Sequence, residues 1–190
     1  MARMPDIREA LLDAAYDTAV TTGWQRARMA DVAAAAGVSR QTLYDQFGGR
    51  DGLAGHLALR EAERFLDGVE RAMDDHPGDV EQALAAATAF ALKAARNTPL
   101  IRSILTEDGG LLPYMTTRAE PLLAAAKERL VRYFADHWPA IARRDADEAG
   151  EVAVRLALSY IVMPTDTETA AAQRIARIAT HVLDARRSTR

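Results

Sequence analysis

Between Asp31 and Phe47 the chain reads Asp-Val-Ala-Ala-Ala-Ala-Gly-Val-Ser-Arg-Gln-Thr-Leu-Tyr-Asp-Gln-Phe. Val32, Ala33 and Ala36 form a small apolar face, and side chains of this size let a second helix cross closely. Gly37 marks a sharp turn, because glycine takes positive φ without a steric penalty. Val38 plugs the corner, and Ser39 is a good N-cap, its hydroxyl able to accept an N–H of the next turn. Leu43 and Phe47, four residues apart, anchor the second helix inward. Arg40, Gln41, Thr42, Tyr44, Asp45 and Gln46 are left facing outward or sideways. A short glycine turn between a small-residue helix and a polar one is the pattern of a helix-turn-helix.

A polar second helix of this kind fits the DNA major groove, its first residues nearest the base edges. Arg40 suits guanine O6 and N7, and Gln41 suits adenine. Thr42, Tyr44 and Gln46 carry hydroxyl or amide groups suited to phosphate oxygens. Asp45, acidic beside a phosphate surface, is expected to face away from DNA or to cap locally.

Outward from this stretch almost everything reads as helix. Alanine and leucine abound, and no segment alternates with period two over any length. Glycine and proline divide the chain into helix-sized pieces, predicted at about 5–22, 29–36, 39–46, 50–75, 79–97, 98–107, 118–137, 146–163 and 167–187. Pro5 and Pro121 fall in first turns, where a missing N–H costs little. Gly23 is placed to stop the first helix. The fold class is all-α: a helix-turn-helix domain over residues 1–52, then a second helical domain over 53–190. No low-complexity linker separates them, so the change from one to the other falls inside the long helix.

The N-terminal part strongly resembles the DNA-binding domain of the tetracycline-repressor (TetR) family of bacterial regulators. The resemblance covers residues 5–60. It rests on a helix ending in Gly23-Trp24, on Met29-Ala-Asp-Val-Ala-Ala-Ala-Ala-Gly-Val-Ser39, and on Thr42-Leu-Tyr-Asp-Gln-Phe-Gly-Gly-Arg-Asp-Gly-Leu53. It implies that Arg40 and Gln41 meet bases and that Thr42, Tyr44, Gln46 and Arg50 hold phosphates, with Ser39 among the DNA-facing set. Arg50 opens a helix, whose N–H groups favour anions. One position departs from the family pattern: Arg28 stands where Ser or Thr usually caps the short second helix. Arg28 is expected to contact a phosphate.

Composition sharpens this. The net charge is −3. Within residues 1–52 six arginines (3, 8, 26, 28, 40 and 50) oppose seven acids (Asp6, Glu9, Asp13, Asp17, Asp31, Asp45 and Asp51). The bulk basic footprint of many DNA binders is absent, so a few placed arginines must supply the contact. A helical interaction module without DNA reading is the alternative that this charge balance keeps open.

There is no cysteine, which excludes disulfides and thiolate sites and suits a reducing cytoplasm. Met1-Ala2-Arg3-Met4-Pro5-Asp6 has no apolar signal core, and no apolar run approaches a membrane span. His56, His76, His137 and His181 lie far apart, with no metal-like spacing. Neither a Gly-x-Ser-x-Gly motif nor a phosphate-cradling loop is present. No metal, cofactor or catalytic residue is expected.

From Leu53 onward the resemblance weakens. Apolar faces recur at Phe65, Leu66, Val69 and Met73, at Leu84, Phe90 and Leu92, and at Leu122, Leu123, Leu130, Tyr133 and Phe134. Residues 99–115 are rich in large apolar side chains yet broken by Pro and Gly. The resemblance implies a small effector held among the central helices. Its expected lining is Met73, Phe90, Ile101, Leu105, Leu112, Met115 and Phe134, with Arg102, Tyr114, Arg118 and Trp138 as polar fixings. The last two helices are apolar on two stripes each, and a helix apolar on two faces is buried on two sides. Val152, Leu156, Tyr160, Ile175, Ile178 and Val182 are expected to pair with a second copy. The partners implied are operator DNA, a second copy of the chain and a small effector, without a membrane, and the role is that of a repressor.

Arg40→Ala is expected to lower DNA affinity by about 1–3 kcal/mol and to relax preference at one base position. Binding titrations against single-base operator variants check this, and a uniform loss across all variants would contradict base reading by Arg40.

Overall fold

The computed structural model describes residues 6–101, 117 and 119–185, and every regular element among them is a helix. α1 spans Ile7–Thr22 and starts where Asp6 accepts the N–H of Arg8 at 3.0 Å. Gly23, at φ 80°, ends it as expected. A 3-10 turn at Trp24–Arg26, absent from the sequence-based expectation, then turns the Trp24 ring into the core. α2 spans Met29–Ala35, α3 spans Arg40–Phe47, and the long α4 runs Arg50–Asp74.

The described residues divide into two compact units, 6–62 with 98–101 and 117, and 63–97 with 119–185. The first unit has one core, in which Leu11, Ala15, Val32, Leu43, Leu53 and Leu57 are fully buried. Three α4 residues, Leu53, Ala54 and Leu57, belong to that core, and Leu100 joins it. The domain edge expected after residue 52 therefore falls too early. A helix contributes to a core through residues three and four apart, so the first turns of α4 cannot be separated from the helices they cover. Arg60 extends this tie. Its buried guanidinium meets Asp13 at 2.8 Å and Glu9 at 3.2 Å on α1, and Glu61 beside it. The two α1 carboxylates are more than half exposed, which limits what this pairing contributes.

In the second unit, α5 (Val80–Asn97), α6 (Glu120–His137), α7 (Arg143–Val162) and α8 (Glu168–Ala185) follow the last turns of α4. Asp79 caps α5 by accepting the N–H of Gln82 at 3.0 Å, and Thr167 caps α8 by accepting that of Ala170 at 3.2 Å. Pro121 lies in the first turn of α6, as expected. α7 starts three residues before its predicted position, because the Ala142 carbonyl accepts the N–H groups of Asp145 and Ala146.

α8 packs on α5 and α7, and α7 also packs on α5 and α6. Alanines dominate these contacts: Ala83 and Ala87 on α5, Ala146, Ala149 and Ala153 on α7, Ala176 and Ala179 on α8. Small side chains bring the helix axes together, while Met73, Phe134 and Ile175 fill the space between. Polar clasps join α6 to α4. Arg129 donates to Glu70 at 2.7 and 2.8 Å and also to Asp67. The Tyr133 hydroxyl donates to Asp74 at 2.7 Å. Burial first, and this bond second, push that hydroxyl well above the ordinary phenol range, so it stays a donor. No described helix is long and apolar enough to cross a membrane.

One close approach is testable. A Cβ on Gly52 would lie 1.7 Å from the Phe47 carbonyl oxygen. Alanine improves helix propensity by about 1 kcal/mol, but here backbone must shift. Gly52→Ala is expected to lower stability by about 1–3 kcal/mol net, read as an earlier denaturant midpoint. A midpoint equal to or above that of the parent chain would contradict this packing.

Candidate nucleic-acid interface

The presentation of α3 follows from three local features. Gly37, at φ 72°, turns the chain after α2, and the Val38 N–H donates to the Ala33 carbonyl at 3.0 Å. Ser39 then caps α3, its Oγ accepting the Thr42 N–H at 3.0 Å. Leu43, at 0% exposure, and Phe47, at 6%, fasten the helix to the core. Arg40, Gln41, Tyr44, Asp45 and Gln46 are consequently exposed together, and Thr42 is half-buried.

Two pairs of side chains are tied one turn apart on this face. Arg40 Nη2 donates to the Tyr44 hydroxyl at 3.2 Å, and its guanidinium lies 5.2 Å from the Tyr44 ring centre. Gln41 Nε2 donates to Asp45 Oδ1 at 2.8 Å. Asp45, expected to face away from DNA or to cap locally, is exposed and holds its neighbour Gln41 one turn earlier. Ser39 Oγ also lies 2.9 Å from Thr42 Oγ1, so both hydroxyls are engaged with each other.

Arg28 precedes α2 with extended backbone, is exposed, and makes no side-chain cap. Its carbonyl accepts the N–H groups of Asp31 and Val32. Arg50, expected to hold a phosphate, also has partners within its own chain. Its Nη2 donates to the Trp24 carbonyl and, at 3.0 Å, to that of Gln25, with the Trp24 ring centre 5.7 Å away. The Trp24 carbonyl also accepts the Ala27 N–H at 3.2 Å, and a guanidinium at the start of α4 gives both carbonyls a side-chain donor. The sequence expectation missed this because it did not contain the turn. It also missed Arg8, whose guanidinium lies 4.9 Å from the Phe47 ring centre.

In the second unit, Met73 and Phe134 are fully buried in the core. The Phe90 ring lies against Gly68, with its centre 6.2 Å from that of Phe65. Trp138 is half-buried, its ring 5.8 Å from Phe134 and 5.9 Å from Tyr133. Ile101 belongs to the first unit, next to Leu100. Arg102, Leu105, Leu112, Tyr114, Met115 and Arg118 lie outside the described residues.

Of the residues expected to meet a second copy, Ile175 is corrected: it is fully buried within its own chain. The inner face of α8 is the row Ala172, Ile175, Ala176, Ala179 and Leu183. Ile178 is exposed, and Val152, Leu156, Tyr160 and Val182 are half-buried. The Tyr160 hydroxyl accepts from Arg174 at 2.7 Å. Val162 and Met163 are exposed at the end of α7.

A glycine-turned helix pair that buries Leu43 and Phe47 and exposes a polar second helix defines a helix-turn-helix DNA-binding protein. Residues 11–57 match the model for bacterial regulatory proteins of the tetR family, and residues 79–181 match the model for the C-terminal domain of the bacterial tetracyclin repressor. The chain is 38% identical over 177 residues to the HTH-type transcriptional regulator AlkX of Mycobacterium tuberculosis, covering 92% of this chain and 83% of that one. The crystal structure of the TetR family repressor AlkX from Dietzia sp. strain DQ12-45-1b, implicated in biodegradation of n-alkanes, superposes with a TM-score of 0.79. That match has 32% identity and covers 96% of this chain and 98% of the other. A tetR-family regulator structure from Mesorhizobium loti shares the fold alone, at a TM-score of 0.62 and 16% identity over 97% and 98% of the two chains. The chain belongs to the bacterial tetR family and is a transcriptional regulator.

The contacts of Arg50 within the chain carry their own test. Arg50→Ala is expected to lower stability by roughly 1.5–3 kcal/mol, the range for hydrogen bonds to charged groups. The slope of log affinity against log salt is expected to stay unchanged at temperatures where the variant is folded. An unchanged unfolding midpoint with a slope shallower by about one would return Arg50 to the phosphates.

Proposed function

We propose that the chain is a homodimeric repressor that reads its operator through α3 and is released by a small, largely apolar effector. The observation that carries this reading is the α3 face: Arg40, Gln41, Tyr44 and Gln46 exposed in a row above buried Leu43 and Phe47. Arg40 and Gln41 are the base readers of this reading. Arg28, Thr42, Tyr44 and Gln46 are its phosphate contacts, and Ser39 shapes the helix start. With residues 1–52 nearly neutral, these groups and the pairing of two copies supply what bulk charge does not.

Ile178, Val182, Val162 and Met163, with Val152, Leu156 and Tyr160 beside them, form the dimer surface of this proposal. Apolar side chains left open on two adjacent helices support it. Dimerisation serves reading, because two recognition helices about 34–36 Å apart meet successive major grooves. The effector assignment rests on the AlkX repressor similar to this chain being implicated in n-alkane biodegradation, and on the apolar central segment. An effector that favours a different spacing by roughly 1–3 kcal/mol changes occupancy 5–150-fold.

Gel-shift titration of the full chain against DNA from upstream of its own gene, at low and moderate salt, tests the reading. A retarded band with dimer stoichiometry is expected, and an n-alkane dispersion is expected to dissolve it. A folded dimer that retards no DNA would favour an interaction module without DNA reading.

A further inference from the structure

Asp45 is the one acid on the exposed face of α3, and the reading of α3 gives it no task. Its Oδ1 accepts from Gln41 Nε2 at 2.8 Å, one helical turn away, and both side chains are exposed. An ionised carboxylate only accepts hydrogen bonds. The Gln41 amide must therefore turn its NH2 toward Asp45 and its Oε1 away. A free glutamine amide has two orientations that exchange donor and acceptor. Beside Asp45 only one of them is bonded.

We propose that Asp45 is a positioning residue for base reading: it fixes the polarity of the Gln41 amide, so that α3 selects adenine at one base position. This rests on the reading of α3 given above. The chemistry is specific. Adenine shows the major groove an N6 amine donor and an N7 acceptor, and a glutamine answers with Oε1 and one N–H. Gln41 has two N–H groups on Nε2. One is held by Asp45, and the other remains beside Oε1 for N7. Reversal of the amide would place NH2 where Oε1 accepts from N6, a pattern that no longer matches adenine. Guanine, whose O6 and N7 both accept, gives the fixed Oε1 no donor and leaves it unpaired. Selectivity thus comes from the orientation that Asp45 imposes, at the expense of a negative charge near the phosphates. That charge lowers affinity for all sequences alike.

The test is selection of bound duplexes from a library of 30-base-pair DNA with a randomised centre, using the full chain and the variants Asp45→Ala, Asp45→Asn and Gln41→Ala. The parent chain is expected to enrich adenine at one position of each half-site. Asp45→Ala is expected to reduce that preference roughly tenfold, within the range for a bidentate base contact. Preference at the neighbouring position read by Arg40 is expected to stay. Asp45→Asn loses the same charge and carries both a donor and an acceptor, so it bonds the Gln41 amide in either orientation and is expected to relax the adenine preference as Asp45→Ala does. Both Asp45 variants are expected to bind all sequences more tightly. In the Gln41→Ala background, Asp45→Ala is expected to change nothing at this position, because Asp45 acts through Gln41.

An Asp45→Asn chain that keeps the parent's adenine preference would overturn the fixing of amide polarity, because asparagine bonds either orientation. An Asp45→Ala effect that persists with Gln41→Ala would mean that Asp45 meets a base itself, and would also overturn it. An Asp45→Ala chain with the parent's preferences overturns the proposal while DNA reading stands. A parent chain that enriches no sequence overturns DNA reading as a whole.

Discussion

Leu43 and Phe47 are pinned in the first unit's core while Gly37 turns the chain ahead of them, and the rest of the reader depends on that constraint. A helix of eight residues has little stability alone. Its orientation is set by which stripe is buried. Once Leu43 is wholly buried and Phe47 nearly so, a rotation of α3 would expose apolar surface and bury Arg40 or Gln41 without partners. Both consequences are unfavourable. The polar face is therefore fixed as firmly as the core is packed. Ser39 holds the start of the helix, and Gly48 holds its end by donating its N–H to the Tyr44 carbonyl at 2.7 Å.

The basic side chains around this helix divide by what they touch. Arg50 and Arg60 serve the fold: one meets the carbonyls of the 3-10 turn, the other the carboxylates of α1. Arg8 lies over the Phe47 ring. Arg26 Nε donates to the Thr22 carbonyl at 2.6 Å. Arg40 keeps its place beside Tyr44 through a neutral hydroxyl and an aromatic face, both of which leave most of a guanidinium's five donors for another partner. A domain with almost no net charge thus separates arginines that hold it together from arginines presented outward. In the second unit, buried alanines replace charge as the organising feature, drawing α5, α7 and α8 together and leaving Val162, Met163 and Ile178 at the surface.

Much of this was legible in order along the chain. The residues from Asp31 to Phe47 announced two helices, the turn and the inward face, because those features depend on neighbours three and four residues apart. The Gly23 stop and Pro121 in a first turn were legible for the same local reason. The edge of the reader was not, since the burial of Leu53 and Leu57 depends on a core they share with residues of α1, α2 and α3. The partners of Arg50 within the chain were not legible, because they stand 25 and 26 residues earlier. Ile175 was misplaced because an amphipathic helix shows how wide its apolar side is, but not which part of it the same chain covers.

The sequence alone determined the all-α fold class, where its reading helix begins and ends, and which family of regulators it belongs with. Those properties rest on local periodicity, capping and turn chemistry, which act within a few residues. Tertiary structure alone decided which arginines remain outward, which part of α8 is left to meet another surface, and that Asp45 stands beside Gln41 on the face that α3 exposes. A side chain's task follows from what the fold brings next to it, and contacts between distant segments exist only once the chain has packed.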